Sequence, residues 1–586
     1  MRFTGIFSTA FVAGTAIAFS HDAQHRLGKQ INVAGTADAN PKCNLPAPLN
    51  PSDDGLESSH DLFSSKKALQ LMVKKHQSLV RIPSICYDDM GDLDTDDRWK
   101  PFNDIPKMLK KAYPTVHKHI TPEKVNKFGL VYTLKGSDPS LQPILLAGHQ
   151  DVVPVADGTL HEWVHPPFDA FYNETDGYLW GRGASDDKSA ITAQMSALEA
   201  LLSQKTYKPR RTVILAFGFD EECSGHRGAG HISKHLEARY GEHGIAAILD
   251  EGGAGLQKMG DVLYALPAVY EKGYLDVWFN VSVVGGHSSV PTPHTAIGIM
   301  AEIVTTLEHN PFKPEIAKNG AIHQCLACFA EHSPHVFPDL TKLVNGGDLQ
   351  GVAKFLTKLS RDMQYMVQTS QAIDVISGGQ KINALPEFVT LGVNHRYAPQ
   401  DSIGSIQHRI VGLIKDIAES HNLRVEAFED DADYDVYLAA NDLSRQCNKD
   451  EDLWQQKHKG VLTIAAKKKS YITPQSPTTG PVWDIFAGTV RHSFAQEAKT
   501  VVAAPGAMTG NTDTRHYLSK FSQVQGISFV TDSQSDLSKN IYRWSPGSLK
   551  SFSNIHSVNE RLLMSEQMNM AKFYYDFIRN FDKANV

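Results

Sequence analysis

The chain has little of what would place it in several common classes. Six cysteines in 586 residues are too few for a disulfide framework, which excludes a small stapled scaffold. No long basic run accompanies the net charge of -7, so nothing argues for a nucleic-acid partner. Internal repeats and low-complexity tracts are absent, which sets aside solenoids and fibrous proteins. Long apolar runs are almost absent as well. The one that occurs, Ile6 to Phe19 behind Met1-Arg2-Phe3, falls short of the ~20 residues a spanning helix needs. Ala16-Ile17-Ala18 supplies a small-x-small cleavage pattern, so residues 1–18 are expected to be a removed secretory signal, with an uncleaved membrane anchor as the alternative. Asn173-Glu174-Thr175 and Asn280-Val281-Ser282 are N-glycosylation sequons that fit a secreted or vacuolar destination.

What is present is an ordinary globular composition, 41% hydrophobic and 21% charged, on a chain too long for one simple core. Residues 19–59 are rich in Pro, Asn, Asp and Ser and read as a loosely ordered lead-in. From residue 60 to 273, buried β-rich runs alternate with helical ones: strands at Gly129–Leu134, Ile144–Ala147, Thr212–Phe217 and Ala246–Leu249, and a helix at Ser189–Ser203. That alternation marks an α/β fold with a mostly parallel sheet flanked by helices. The pattern changes at residue 274. A half-exposed strand, Leu275–Val284, precedes the helix Thr295–Leu307, the strand Phe388–Asn394, the helix Ile403–Ser420 and the strand Leu423–Phe428. Residues 274–430 are therefore expected to be an inserted α+β domain, with residues 431–586 completing the first. Cys43 and Cys86 are a candidate disulfide near the N-terminus. Cys325 and Cys328 read as a local or structural disulfide or as two buried thiols, and Cys223 as packing.

Chemistry gathers at the ends of the predicted strands. His149-Gln150-Asp151 follows Ile144–Ala147, Asp220-Glu221-Glu222 follows Thr212–Phe217, and Asp250-Glu251 follows Ala246–Leu249. In open α/β sheets the loops at the carboxyl ends of strands converge on one crevice, where ligands bind. Gly183-Ala184-Ser185-Asp186-Asp187-Lys188 and Asn511-Thr512-Asp513-Thr514-Arg515-His516 add further carboxylates and an imidazole. Mixed His and carboxylate donors in this number suit two metal ions, which need an anion between them, and Asp186 is the candidate bridge. Asp151, two residues past His149, can accept the second imidazole N–H and fix the tautomer. Of two adjacent glutamates, one can ligate while the other moves a proton.

The strings Leu145–Pro154, Trp180–Lys188 and Asp220-Glu221-Glu222 resemble the motifs of the co-catalytic zinc carboxypeptidase and aminoacylase superfamily. Leu249–Gly253 and Gly510–Tyr517 are most similar to its fungal carboxypeptidase S, or Gly-X carboxypeptidase, branch. The resemblance implies two zinc ions held by His149, Asp186, Glu222, Asp250 and His516, with Asp250 preferred to Glu251 because it falls first off the strand. It implies Glu221 as general base and acid, Asp151 as the residue orienting His149, and a cis Asp186–Asp187 peptide. It implies a ferredoxin-like lid, in which Gly285–Ser289 carries His287 against the scissile carbonyl, commonly from a dimer partner. Asn383, Arg396 and Gly510 are the expected substrate contacts, Arg396 as receptor for a free carboxylate. Asn394 stands where many relatives carry an Asp, which leaves the support of Arg396 open.

The expected activity is release of C-terminal amino acids from short peptides, with a possible homodimer through the lid. Hydrolysis of N-acyl amino acids is the rival, since both substrates place an amide beside a free carboxylate. A catalytically inactive binding relative is disfavoured by the intact Glu221, and a one-metal zincin is not expected.

Overall fold

In a computed structural model of the chain, the described residues are 15–16, 41–444, 458–518, 521–524, 527–530, 536–548 and 550–586. The expected signal segment lies outside them apart from Thr15–Ala16, which pairs with Ala507 and Met508 at a sheet edge.

The centre of the molecule is a mixed sheet whose strands Ile541–Ser548, Ala247–Met259, Ile144–His149 and Val213–Gly218 lie side by side and parallel. Gly129–Leu134 and Glu123–Val125 close one side in antiparallel pairing. Every residue of Ile144–His149 and of Val213–Gly218 is buried, because both faces are covered, and near-continuous apolar runs are what such strands require. Side chains alternate between two layers. Ile144 and Leu146 join the larger core, while Leu145 and Ala147 meet Ala229, Ile232 and Leu236 of the helix Ala229–Tyr240. The larger core is sealed by the helices Lys66–Val80, Lys188–Leu202, Pro481–Ser493 and Met564–Lys583.

A second sheet holds five strands in the order Ser370–Gly378, Phe388–Tyr397, Gly273–Val283, Gly460–Ser470, Leu423–Ala427. Leu275, Val277, Phe279 and Val281 point to one face and pack on Ile299 and Ile303 of the helix Ala296–His309 and on Ile406 and Ile410 of the helix Ile403–Ser420. Strand and helix order is βαββαβ, the ferredoxin-like arrangement, with one strand added. Gly460–Ser470 inserts between the first and last strands, antiparallel to Gly273–Val283 and parallel to Leu423–Ala427. It lies beyond the expected boundary at residue 430, and its pairing is nonlocal, so no neighbouring turn announces it.

Other expectations are corrected. The helices Ala321–His332, Pro338–Asn345, Leu349–Leu359 and Arg361–Met366 fall inside the 274–430 range, yet their apolar faces belong to the core of the first sheet. Cys43 pairs with Cys328 of the first of these helices, and Cys86 pairs with Cys223. Cys325 is the free cysteine among the described residues. Cys43 and Cys86 therefore do not pair, since each is brought to a partner far along the chain. The described part of the lead-in is pinned rather than loose. Beyond the disulfide, Leu49 N–H donates to the Gly488 carbonyl, and Arg579 holds Asp54.

Candidate metal centre

His149 ends its strand, and its imidazole is held from both sides. Nδ1 lies 3.1 Å from the Asp151 carbonyl and 3.3 Å from its Oδ1. Nε2 lies 3.1 Å from Asp186 Oδ1 and 3.6 Å from Glu251 Oε2. The Asp151 carboxylate also accepts the backbone N–H groups of Glu221 and Glu222, at 3.2 and 3.0 Å. One buried carboxylate thus sets the imidazole and the glutamate pair relative to each other. The turn carrying that pair ends at Gly225 with φ of +66°, where a Cβ would collide with Asp513 and His516; only glycine tolerates both constraints.

Asp186 sits two residues ahead of the helix Lys188–Leu202 and is joined to Asp187, the helix cap, by a cis peptide. Its loop is fastened by Glu560. One oxygen of that buried carboxylate accepts the N–H groups of Ser185 and Asp186, and the other accepts Gly183 N–H and the Arg182 guanidinium. Four residues before Glu560, His556 places Nε2 3.2 Å from Asp186 Oδ2 and 3.1 Å from Glu222 Oε1. Hydrogen bonds to these two carboxylates push the His556 pKa up to about 11. Burial would raise Asp186, but its bonds to His149 and His556 outweigh that and hold it below the ordinary carboxylate range. Burial pushes Glu221 and Glu251 well above theirs, with neighbouring negative charge adding to the effect.

Two overlapping donor sets result, His149 with Asp186 and Glu222, and His149 with Glu221 and Glu251; within each the ligand atoms lie within 4.8 Å of one another. Four carboxylates crowd two imidazoles in a cleft that opens to solvent at His556. That arrangement is unfavourable as bare like charge and favourable once divalent cations neutralise it, so the donors fit a dinuclear centre.

Two expected ligands are not part of the group. His516 ends a 3-10 turn, Asp513–His516, that carries its ring beneath the glutamate turn, with Nε2 2.9 Å from the Ser224 carbonyl and the ring against His226. Burial lowers its pKa to about 3. His556 occupies the place expected of it. Sequence reading missed His556 because it follows no predicted strand; its one signal is a glutamate four residues on, ahead of the last helix. Asp250 faces away as well. The strand does not stop at Leu249 but runs on to Met259, so consecutive residues point to opposite faces. Glu251 therefore turns to His149, while Asp250 accepts the Glu251 N–H and lies beside Arg543 of the next strand. His161-Glu162-Trp163-Val164-His165 has the spacing of a one-metal zincin. Its helical turn stops at Glu162 and His165 stacks on Phe171, so the two imidazoles share no helix face.

The expected substrate residues fall in two places. Arg396 lies with its guanidinium 4.5 Å from the Tyr274 ring centre and 3.5 Å from Asn511 Oδ1, next to Gly510. Its support comes from the neighbouring strand, where Asp276 accepts both Asn394 Nδ2 and the Tyr274 hydroxyl. The carboxylate that Asn394 lacks is thus supplied by Asp276. His287 and Asn383 are exposed on a small two-stranded piece, Gly286–His287 with Ala384–Leu385. They are neighbours there, Ser288 N–H donating to the Asn383 carbonyl.

Residues 145–580 match the profile of peptidase family M20/M25/M40. The chain is 37% identical to an uncharacterized carboxypeptidase of Schizosaccharomyces pombe, over 92% of this chain and 84% of that protein. It is 36% identical to carboxypeptidase S of Saccharomyces cerevisiae, over 92% and 89%. It is 31% identical to the N-fatty-acyl-amino acid synthase/hydrolase PM20D1 of Bos taurus, over 81% of each. Among solved structures, human carnosine dipeptidase 1 shares the fold, with a TM-score of 0.55 at 12% identity over 92% of this chain and 100% of that one. The chain belongs to peptidase family M20/M25/M40. It is a metal-dependent hydrolase.

Proposed function

We propose that the chain is a dinuclear metallocarboxypeptidase that releases C-terminal amino acids from short peptides. The observation that carries this reading is the convergence of His149, Asp186, Glu222, Glu251 and His556 on one crevice, with the Glu221 carboxylate among them. These five would hold the two ions, and mixed imidazole and carboxylate donors make zinc the metal of choice. When bound, such a pair supplies a water acidified to neutral pH and a Lewis acid for the scissile carbonyl. Glu221 takes the proton of the attacking water and returns it to the leaving amine; a carboxyl whose pKa burial already raises suits both steps. Asp151 keeps His149 and Glu221 in register. Arg396, beside Asn511 and Gly510, receives the substrate's free carboxylate.

His287 and Asn383 would reach a centre from the exposed hairpin of a second copy. Val290, Ile382 and Phe388 are exposed on and beside that hairpin, which supports a homodimer through the lid. The lid would comprise both its contiguous range and Gly460–Ser470, while the helices between residues 316 and 367 belong to the catalytic part. Two disulfides favour an oxidising compartment, so passage through the secretory pathway follows. Among the described residues no helix is long and apolar enough to cross a membrane.

Hydrolysis of N-acyl amino acids is the second reading, favoured by the likeness to N-fatty-acyl-amino acid synthase/hydrolase PM20D1. The test is hydrolysis of a blocked Gly-Leu dipeptide against N-acetyl-leucine by the zinc-loaded protein, alongside Glu221→Ala. Dipeptide cleavage that falls at least ~10²-fold in the variant while metal content is kept is expected. A preference for the acyl amino acid would move the assignment to the second reading, and inertness toward both would sink the two together.

A further inference from the structure

Two histidines and a glutamate also meet at the helices packed on the second sheet, and none of them belongs to the centre already described. His421 Nε2 lies 2.9 Å from Glu302 Oε2, and His294 Nδ1 lies 3.8 Å from Glu302 Oε1. The two rings stand 4.7 Å apart, nearly edge to face. The three donor atoms are all within 4.8 Å of one another. With bonds of 2.0–2.1 Å, ligand atoms around a tetrahedral zinc stand about 3.3 Å apart. The two His–Glu separations, 2.9 and 3.8 Å, lie either side of that spacing.

We infer that His294, Glu302 and His421 form a third metal site, one that takes a zinc-type divalent ion on two imidazoles, one carboxylate and a water. Donor chemistry favours a borderline ion over calcium or magnesium, which prefer all-oxygen shells. The His421 side chain is only 9% exposed, whereas that of His294 is 55% exposed. The site therefore has one fixed wall and one open side, where the water would sit. Its members come from three places: the residue before the cap of the helix Ala296–His309, the second turn of that helix, and the C-cap of the helix Ile403–Ser420. An ion there staples the start of one lid helix to the end of the other.

The staple also reaches the loop that carries His287. That loop runs from Val284 to His294, where Thr292 Oγ1 donates to the His294 carbonyl. Its far end is held by the pairing of His287 with Ala384. Metal at His294 fixes the near end, so the site controls how firmly His287 is presented. The ion is structural, acting on the order of the loop and on no bond of a substrate.

The test is equilibrium dialysis of the full chain against micromolar free zinc, with bound metal counted by atomic emission, for the wild type, His294→Ala and Glu302→Gln. One more zinc per chain in the wild type than in either variant is expected, whatever number the other centre holds. Equal counts in all three overturn the site. His294 is half-exposed, so its alanine variant keeps the fold. Amide exchange of residues 284–295 is the second readout. Slower exchange on adding zinc to the wild type, absent in His294→Ala, is expected, and zinc-independent exchange in the wild type overturns the role in the loop.

Discussion

At the scale of single residues, the centre is decided by which carboxylates each imidazole faces. His556 points at Asp186 and Glu222, while His516 points at a backbone carbonyl. Under the proposed assignment His556 is an imidazole donor to one of the two ions. His556→Ala is therefore expected to bind one metal fewer and to lose about 10²-fold or more in hydrolysis. His516→Ala should keep both metals. Metal counts on the two variants read this directly, and loss of metal in His516→Ala with none in His556→Ala would reverse the assignment. Glu560 acts one step further out, since four donors of the Asp186 loop end on its carboxylate.

At the scale of elements, the turn bearing Glu221 and Glu222 is short and would be free to swing without its fastenings. Its last residue, Cys223, is bonded to Cys86. The segment around Cys86 is in turn clipped to the strand end beyond His149, through Cys86 N–H to the Val152 carbonyl and Ser84 Oγ to the Gln150 carbonyl. The disulfide thus closes a ring around Asp151. Replacing both cysteines by serine should cost about 2–4 kcal/mol of stability. Denaturant unfolding of the double variant against the wild type measures it, and an unchanged midpoint would show that the bond constrains nothing.

At the scale of the molecule, two histidines buried in different cores, His76 and His395, tie stability to pH. Burial lowers the pKa of each to about 4, against 6.5 for an open imidazole. Between those values the unfolded chain binds protons that the folded one refuses. Stability is therefore full above about pH 6.5 and is lost as pH falls toward 4, by roughly 3 kcal/mol for each ring at most. Urea unfolding at stepped pH should show the decline. His76→Gln, which cannot titrate, should give a shallower slope, and an identical slope would remove His76 from the account.

The sequence by itself determined the class of fold and the strings that meet around His149. Apolar runs with a period of two or 3.6 mark buried strands and helices locally, and the strings around His149, Asp186 and Glu221 are contiguous, so both are written in neighbouring residues. Tertiary structure decided what depends on contacts between distant segments. It decided that Glu251 rather than Asp250 faces His149, because the strand runs on past Leu249. It brought His556 in from a loop with no periodic signal and paired Cys43 with Cys328 and Cys86 with Cys223. It also gave the second sheet a strand from beyond the boundary expected at residue 430. Periodicity records which face of an element is apolar, not which distant element covers it, so these partners follow from packing alone.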